Sequence, residues 1–416
     1  MLCATAAGSL LYSPPAAYCN PNSKFPCLSS RISSFILNSP KRWRCRASLI
    51  TTSDSFEVGA LVGSYGFMNV TSYSGFQSGS ELSYSPMDLQ QLKVQDVGEG
   101  SFKIKLYEGR VAQGSQRGTP VLFKVYPGQR AGGIEADMMA ANELSAHSSL
   151  QSSAEGICKN LVHLIGGFET KTGEQWLAFR NHGKYSAADY AALTSKRISQ
   201  GSSSREKSWN SFQQQKDMEY RRYFVIRILQ GAISGLAFMH DHDRLHQSLG
   251  PSSLLLNTIS EKDAGYLIPR LRDLTFSVDM SISNLEGART LSESLWRRAT
   301  AAGAFTALEK RAFGIADDIY AAGLLLAYMA FVPFCEAGIM DSLSLQRLLE
   351  NTFKLDLEAT REYCLADDRL EEAVKFLDIG NRSGWELLQA MLNPDFRQRP
   401  TAKAVLNHSF MSGSLL

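Results

Sequence analysis

Across residues 92–111, and again across 120–126, apolar positions alternate with polar ones, the two-residue period of a half-buried antiparallel strand. Residues 134–150 change to helical spacing, and 161–168 and 175–180 return to strand character. After Tyr185 the pattern is helical, interrupted by loops near 242–260 and 271–313. Strands first and helices second predict an α+β chain of two lobes. The first is a small antiparallel-sheet lobe with one helix, the second a larger and mainly helical lobe.

Three segments stand apart from this order. Residues 319–335 (IYAAGLLLAYMAFVPFC) carry no charge but are bounded by Asp317, Asp318 and Glu336. Being shorter than the roughly 20 residues a membrane span needs, they are expected to form a buried core helix, and no transmembrane segment is expected. Residues 58–80 are also uncharged but broken by Gly, Ser, Asn and Tyr, which predicts an extended linker or an extra strand. Residues 195–217 (SKRISQGSSSREKSWNSFQQQKD) are polar and serine-rich, and are expected to be a solvated insertion loop.

Charge changes the picture at the N-terminus. The 416-residue chain has a formal charge of only +2. Residues 1–46 hold six basic residues (Lys24, Arg31, Lys41, Arg42, Arg44, Arg46) and no acid, leaving 37 basic against 41 acidic residues in the rest. An acid-free, serine- and alanine-rich leader ending in a basic run has the composition of a plastid or mitochondrial transit peptide, expected to span residues 1–47. The dominance of serine, without an arginine-rich amphipathic helix, favours plastid. The slightly acidic remainder argues against a nucleic-acid partner, which would need basic groups for phosphate contacts. Four of the seven cysteines fall in the leader, and Cys158, Cys335 and Cys364 are too scattered to predict a disulfide framework.

The candidate chemistry follows in chain order. Gly98 and Gly100 (Val-Gly-Glu-Gly-Ser-Phe) lie where two glycines would let a hairpin backbone approach phosphates. Lys124 stands on a predicted strand and Glu143, 19 residues on, on the predicted helix. Paired, these two would hold the α- and β-phosphates of a nucleotide. His246-Gln247-Ser248-Leu249-Gly250-Pro251-Ser252-Ser253 comes next, then Arg272-Asp273-Leu274-Thr275, Asp318-Ile319-Tyr320 and a closing Arg397-Gln398-Arg399-Pro400.

In this order and spacing the segments resemble a eukaryotic-type protein kinase domain over residues 92–411. The resemblance implies an N-lobe over about 92–180 and, beyond the insertion at 195–217, a C-lobe over about 218–411. Residues 48–91 would be a Gly/Ser/Tyr-rich linker or N-terminal extension. A closer similarity is to the chloroplast thylakoid state-transition kinases. It rests on Gly98 to Phe102, Asn142-Glu143, Trp176 to Arg180, Asp273-Leu274, Asp318 to Tyr320 and Gly384 to Leu388. It implies a chloroplast protein, stromal or peripheral to the thylakoid, with plastid proteins as partners. Those kinases carry a membrane span and a cysteine pair ahead of the domain, and neither is found here.

Where the family has its catalytic aspartate, lysine and magnesium-binding asparagine, this chain has Ser248, Gly250 and Ser253. A serine hydroxyl is neither a base near neutral pH nor a charge, and glycine offers no side chain; general-base help alone is worth roughly 10²–10⁴ in rate. The family's phosphate-gripping arginine position is Gln247. Lys124, Glu143 and Asp273 are retained, so the resemblance implies a weak ATP site with one magnesium on Asp273. Lys103 replaces the third glycine, Lys105 falls at the position that roofs the adenine, and Leu122 replaces a small residue. Asp318 would anchor the loop carrying His246, and Arg399 would pair with either Glu293 or Glu309. The expectation is a pseudokinase acting as a regulatory or scaffold protein, the alternative a low-activity serine/threonine kinase that uses ATP.

Overall fold

The computed structural model describes residues 49–65, 103–152, 156–203, 211–281 and 292–412. The expected leader, 1–47, and the glycines Gly98 and Gly100 lie outside the described residues.

The N-lobe is a five-stranded antiparallel sheet in the order β1-β2-β3-β5-β4. Its strands are β1 (Phe56–Tyr65), β2 (Ile104–Val111), β3 (Pro120–Tyr126), β4 (Leu164–Glu169) and β5 (Gln175–Arg180). β3 is central, so both its faces are covered. Phe123 and Val125 pack outward with Phe56, Ile165 and Phe168, with Phe56 edge-on to Phe123 at 5.4 Å. On the opposite face Tyr126 packs with Ile104, Met139, Leu164 and Leu177. Met139 belongs to helix α1 (Gln129–Gln151), which brackets the predicted 134–150.

The first strand is the extra strand that residues 58–80 offered as one of two expectations. β2 pairs with 56–65, from Phe56↔Val111 to Tyr65↔Ile104, and residues 92–102 of the expected first strand lie outside the described residues. The segment expected as a linker or N-terminal extension, 48–91, therefore supplies an edge strand. Residues upstream of it join the sheet as well. Ile50 bridges Gly166 in parallel, donating to the Ile165 carbonyl at 3.1 Å and accepting from Gly167 N–H at 2.9 Å. Only glycine fits at 166, because a Cβ there would lie 2.0 Å from the Ile50 carbonyl oxygen.

The C-lobe core is built on α3 (Ser211–Asp241) and α5 (Ala307–Phe331), flanked by α2 (Ala187–Ser203) and α4 (Glu293–Ala301). The apolar run 319–335 is buried in this core, as its length predicts. α5 begins twelve residues before the run, because Thr306 and Glu309 form a reciprocal capping box that starts the helix inside the expected loop. The serine-rich stretch differs more. Residues 195–203 continue α2 and 211–217 open α3; only 204–210 lie outside the described residues. Ser195 is buried and donates to the Cys335 carbonyl at 2.9 Å, while Ser199 accepts from Ala337 N–H at 2.8 Å. Tertiary hydrogen bonds thus offset the poor helix propensity of serine.

Candidate functional site

Lys124 and Glu143 meet between β3 and α1, as expected. The Lys124 ammonium lies 3.0 Å and 2.8 Å from the two Glu143 carboxylate oxygens, and both side chains are buried. Tyr126, two residues along β3 and so on the same face, donates its hydroxyl to Glu143. Its oxygen also lies 2.9 Å from the Thr275 hydroxyl. Asn142 donates to the carbonyls of Thr275 (2.7 Å) and Ser277 (2.8 Å), tying α1 to the segment after Asp273. A buried ion pair is held only when its remaining donors and acceptors are satisfied, and Tyr126 and Thr275 do that here. Sequence reading did not find Tyr126 or Thr275; the period-2 spacing Lys124/Tyr126 was the available signal.

Asp273 reaches the same ammonium. Its Oδ1 lies 2.9 Å from Lys124 Nζ, its Oδ2 3.3 Å from Arg272 Nε, and its backbone is left-handed at φ 65°. Arg272 is fixed in turn, its Nε donating to the Ser252 carbonyl at 3.0 Å and its backbone N–H to the Ser253 carbonyl at 2.9 Å. Both carboxylate oxygens of the one retained metal-ligand position therefore face cations.

The loop from His246 to Ser253 is closed on itself. Ser253 is buried; its hydroxyl donates to the Gly250 carbonyl at 2.8 Å and accepts the Gly250 N–H at 3.0 Å. Ser248 donates its hydroxyl to the Asp273 carbonyl at 2.8 Å and its N–H to His246 Nδ1 at 3.2 Å. With Nδ1 accepting, His246 donates through Nε2 to the Arg272 carbonyl, 3.1 Å away. Asp318 anchors this loop, accepting from His246 N–H (2.8 Å), from Gln247 N–H (2.9 Å) and Nε2 (3.0 Å), and bonding His240 Nε2 (3.0 Å). Gln247 sits at φ 60°, a strained backbone that these bonds hold in place.

Among the described residues no ion pair joins Arg399 to Glu293 or Glu309. Arg399 donates to the carbonyls of Asn393 (2.7 Å) and Ala316 (3.0 Å). Glu309 is occupied as the capping residue of α5, and Glu293 is exposed in the first turn of α4. A bidentate pair at this end of the lobe joins Arg298 to Asp317, at 2.7 and 3.1 Å.

The cleft between the lobes has a cavity of about 40 Å³, lined on its apolar side by Leu106, Leu122, Val162, Phe179 and Leu255. Leu122 lies where expected. The roof does not: Leu106 lines the cavity and pairs across the sheet with Lys124, whereas Lys105 is exposed. A one-residue error in register moves a side chain to the other face of a strand, and the motif alignment made that error. Lys103 is exposed as well. His147, one turn after Glu143 on α1, also lines the cavity; it is buried and its Nε2 has no hydrogen-bond partner. Burial, reinforced by the Lys124 charge, pushes its pKa down to about 3, so the ring is neutral.

Comparison with known proteins agrees with this geometry. Residues 93–411 match the family model described as protein kinase domain. No curated protein matches the chain. A matching solved structure is described as the crystal structure of a Stt7 homolog from Micromonas algae soaked with ATP. It is 16% identical, with a TM-score of 0.53, over 91% of this chain and 98% of that one. At that identity the likeness speaks for the fold alone. With the family model covering the whole two-lobed unit from β2 onward, and the Lys124–Glu143 pair in place, the chain belongs to the protein kinase domain family.

Proposed function

We propose that this chain is a pseudokinase: a kinase-fold protein of the plastid that acts by binding other proteins, thylakoid-associated ones among them, without transferring phosphate. The observation that carries this reading is the closed loop, in which the Ser253 hydroxyl is bonded both ways to Gly250 and the Ser248 hydroxyl is bonded to the Asp273 carbonyl. Phosphoryl transfer needs a base for the acceptor alcohol and positive charge on the transferring group. The residues at those positions supply neither. The acid-free leader and the sequence similarity to state-transition kinases support the plastid assignment. Purified full chain with radiolabelled ATP should leave protein substrates unlabelled. Labelling that disappears in Asp273→Ala but persists in a surface variant would overturn the reading. A reporter fused to residues 1–47 should enter plastids.

One observation favours a second reading, a low-activity serine/threonine kinase. Lys124, Glu143 and Asp273 are assembled as a phosphate clamp requires, with Lys124 within 3.0 Å of both carboxylates. The same labelling experiment separates the two. ATP is the ligand class for this cleft under either reading.

A further inference from the structure

Magnesium does not fit the residues that a kinase fold would offer it. The second metal ligand is Ser253, whose hydroxyl is buried and closed onto Gly250. The first, Asp273, has Oδ1 2.9 Å from the Lys124 ammonium and Oδ2 3.3 Å from the Arg272 guanidinium. Magnesium in a nucleotide site takes one or two protein carboxylates besides waters and phosphate oxygens, and here a divalent ion would have to displace both cations from the single carboxylate on offer.

The cations themselves already do what the ion would do. Of the side chains around the cavity, Lys124, Arg180 and Arg272 are cationic and Glu143 and Asp273 anionic, a surplus of one positive charge with His147 neutral. Arg272 is positioned rather than loose, held at its Nε by the Ser252 carbonyl, and its side chain remains 30% exposed. A guanidinium is always charged and matches phosphate oxygens in a fork. Beside it stand the apolar side chains of Leu106, Leu122 and Leu255. At about 40 Å³ the cavity is far below the roughly 300 Å³ a nucleotide-sized ligand needs, so entry requires the lobes to part.

From this we infer that the cleft binds a nucleoside triphosphate as the free polyanion, without a divalent metal, with Arg272 and Lys124 on the phosphates. The inference rests on the pseudokinase reading, since a metal-free site cannot run the kinase reaction. It also reverses the role of Asp273. In a metal-dependent site that carboxylate is needed; here it repels the phosphates and competes for their cations.

The test is a thermal-shift titration of the full chain with millimolar ATP, in EDTA and in magnesium. A shift in EDTA at least as large as that in magnesium is expected. Asp273→Asn should tighten ATP binding in EDTA by about fivefold, the size of one unit-charge contact at 4 Å in water. Arg272→Gln should weaken it by about as much, and Arg272→Lys should retain most of it. Each variant's ligand-free melting temperature controls for folding. A shift seen only with magnesium and lost in Asp273→Asn would overturn the inference. No shift in either condition would overturn it as well, while leaving the protein-binding pseudokinase standing. Phosphate transfer in the labelling experiment would instead bring down the reading beneath it.

Discussion

The hydroxyl of Ser253 and the backbone of Gly250 satisfy each other, donor to carbonyl at 2.8 Å and N–H to hydroxyl at 3.0 Å. Serine is thus the structural keystone of a loop that in an active kinase would open toward metal and nucleotide. Ser253→Ala should cost about 1–3 kcal/mol, because the Gly250 N–H loses its buried acceptor, while the Gly250 carbonyl keeps only the Ser253 N–H at 3.1 Å. Urea denaturation would measure this as a lower midpoint at unchanged slope.

Replacing Ser248 alone by aspartate should not create a kinase. The carboxylate would meet the Asp273 carbonyl that now accepts the Ser248 hydroxyl, while the lysine and asparagine positions remain Gly250 and Ser253. Radiolabelled phosphate transfer by Ser248→Asp should stay at background.

Tyr126→Phe removes the hydroxyl that donates to the buried Glu143 carboxylate and contacts Thr275. A hydrogen bond to a charged group contributes about 1.5–3 kcal/mol, and a loss of that size is expected in stability. Since Asn142 still ties α1 to the Thr275 carbonyl, hydrogen exchange should quicken around Glu143 without releasing the whole helix.

Asp318→Ala should be among the most damaging changes in the C-lobe. It removes four contacts at once from His240, His246 and Gln247 and leaves Gln247 strained. A loss of roughly 3–5 kcal/mol is expected, as for other broken buried charge networks, and is measurable by chemical denaturation.

His147 gives the fold an acid sensitivity. The unfolded chain protonates this ring near pH 6.5, roughly its free value, but the folded protein resists until about pH 3. Between those limits the unfolded state binds the extra proton, so stability falls as pH falls. His147→Leu removes that linkage and the unpartnered Nε2 together. Relative to the parent, it should gain about 2 kcal/mol more at pH 5 than at pH 8.

Much of the architecture was legible along the chain, for reasons that differ by residue. β3 and β5 were read correctly because central strands carry long apolar runs between turn residues. Lys124, Glu143 and Asp273 were legible because the order and spacing of the motifs single them out. β1 was legible only as one of two alternatives, linker or extra strand, because its Val58, Leu61 and Val62 are exposed and its glycines weaken the strand pattern. Lys105 was misplaced because a motif gives the order of residues but not the register of the sheet. The serines of α2 read as loop because their hydrogen-bond partners, Cys335 and Ala337, are some 140 residues away. Nothing local marked Arg272 or His147; both acquire meaning only from the cleft they share.

The parallel bridge at Ile50 sets a boundary on any maturation of this chain. Cleavage that leaves Leu49 and Ile50 would keep the two backbone bonds to β4. Trimming a few residues further would uncover Gly166, a bare notch in the outermost strand, and leave its neighbours' amide and carbonyl seeking another chain. Leu49 and Ile50 thus stand guard over an open sheet margin, and a protease that removed them would leave that flank adhesive.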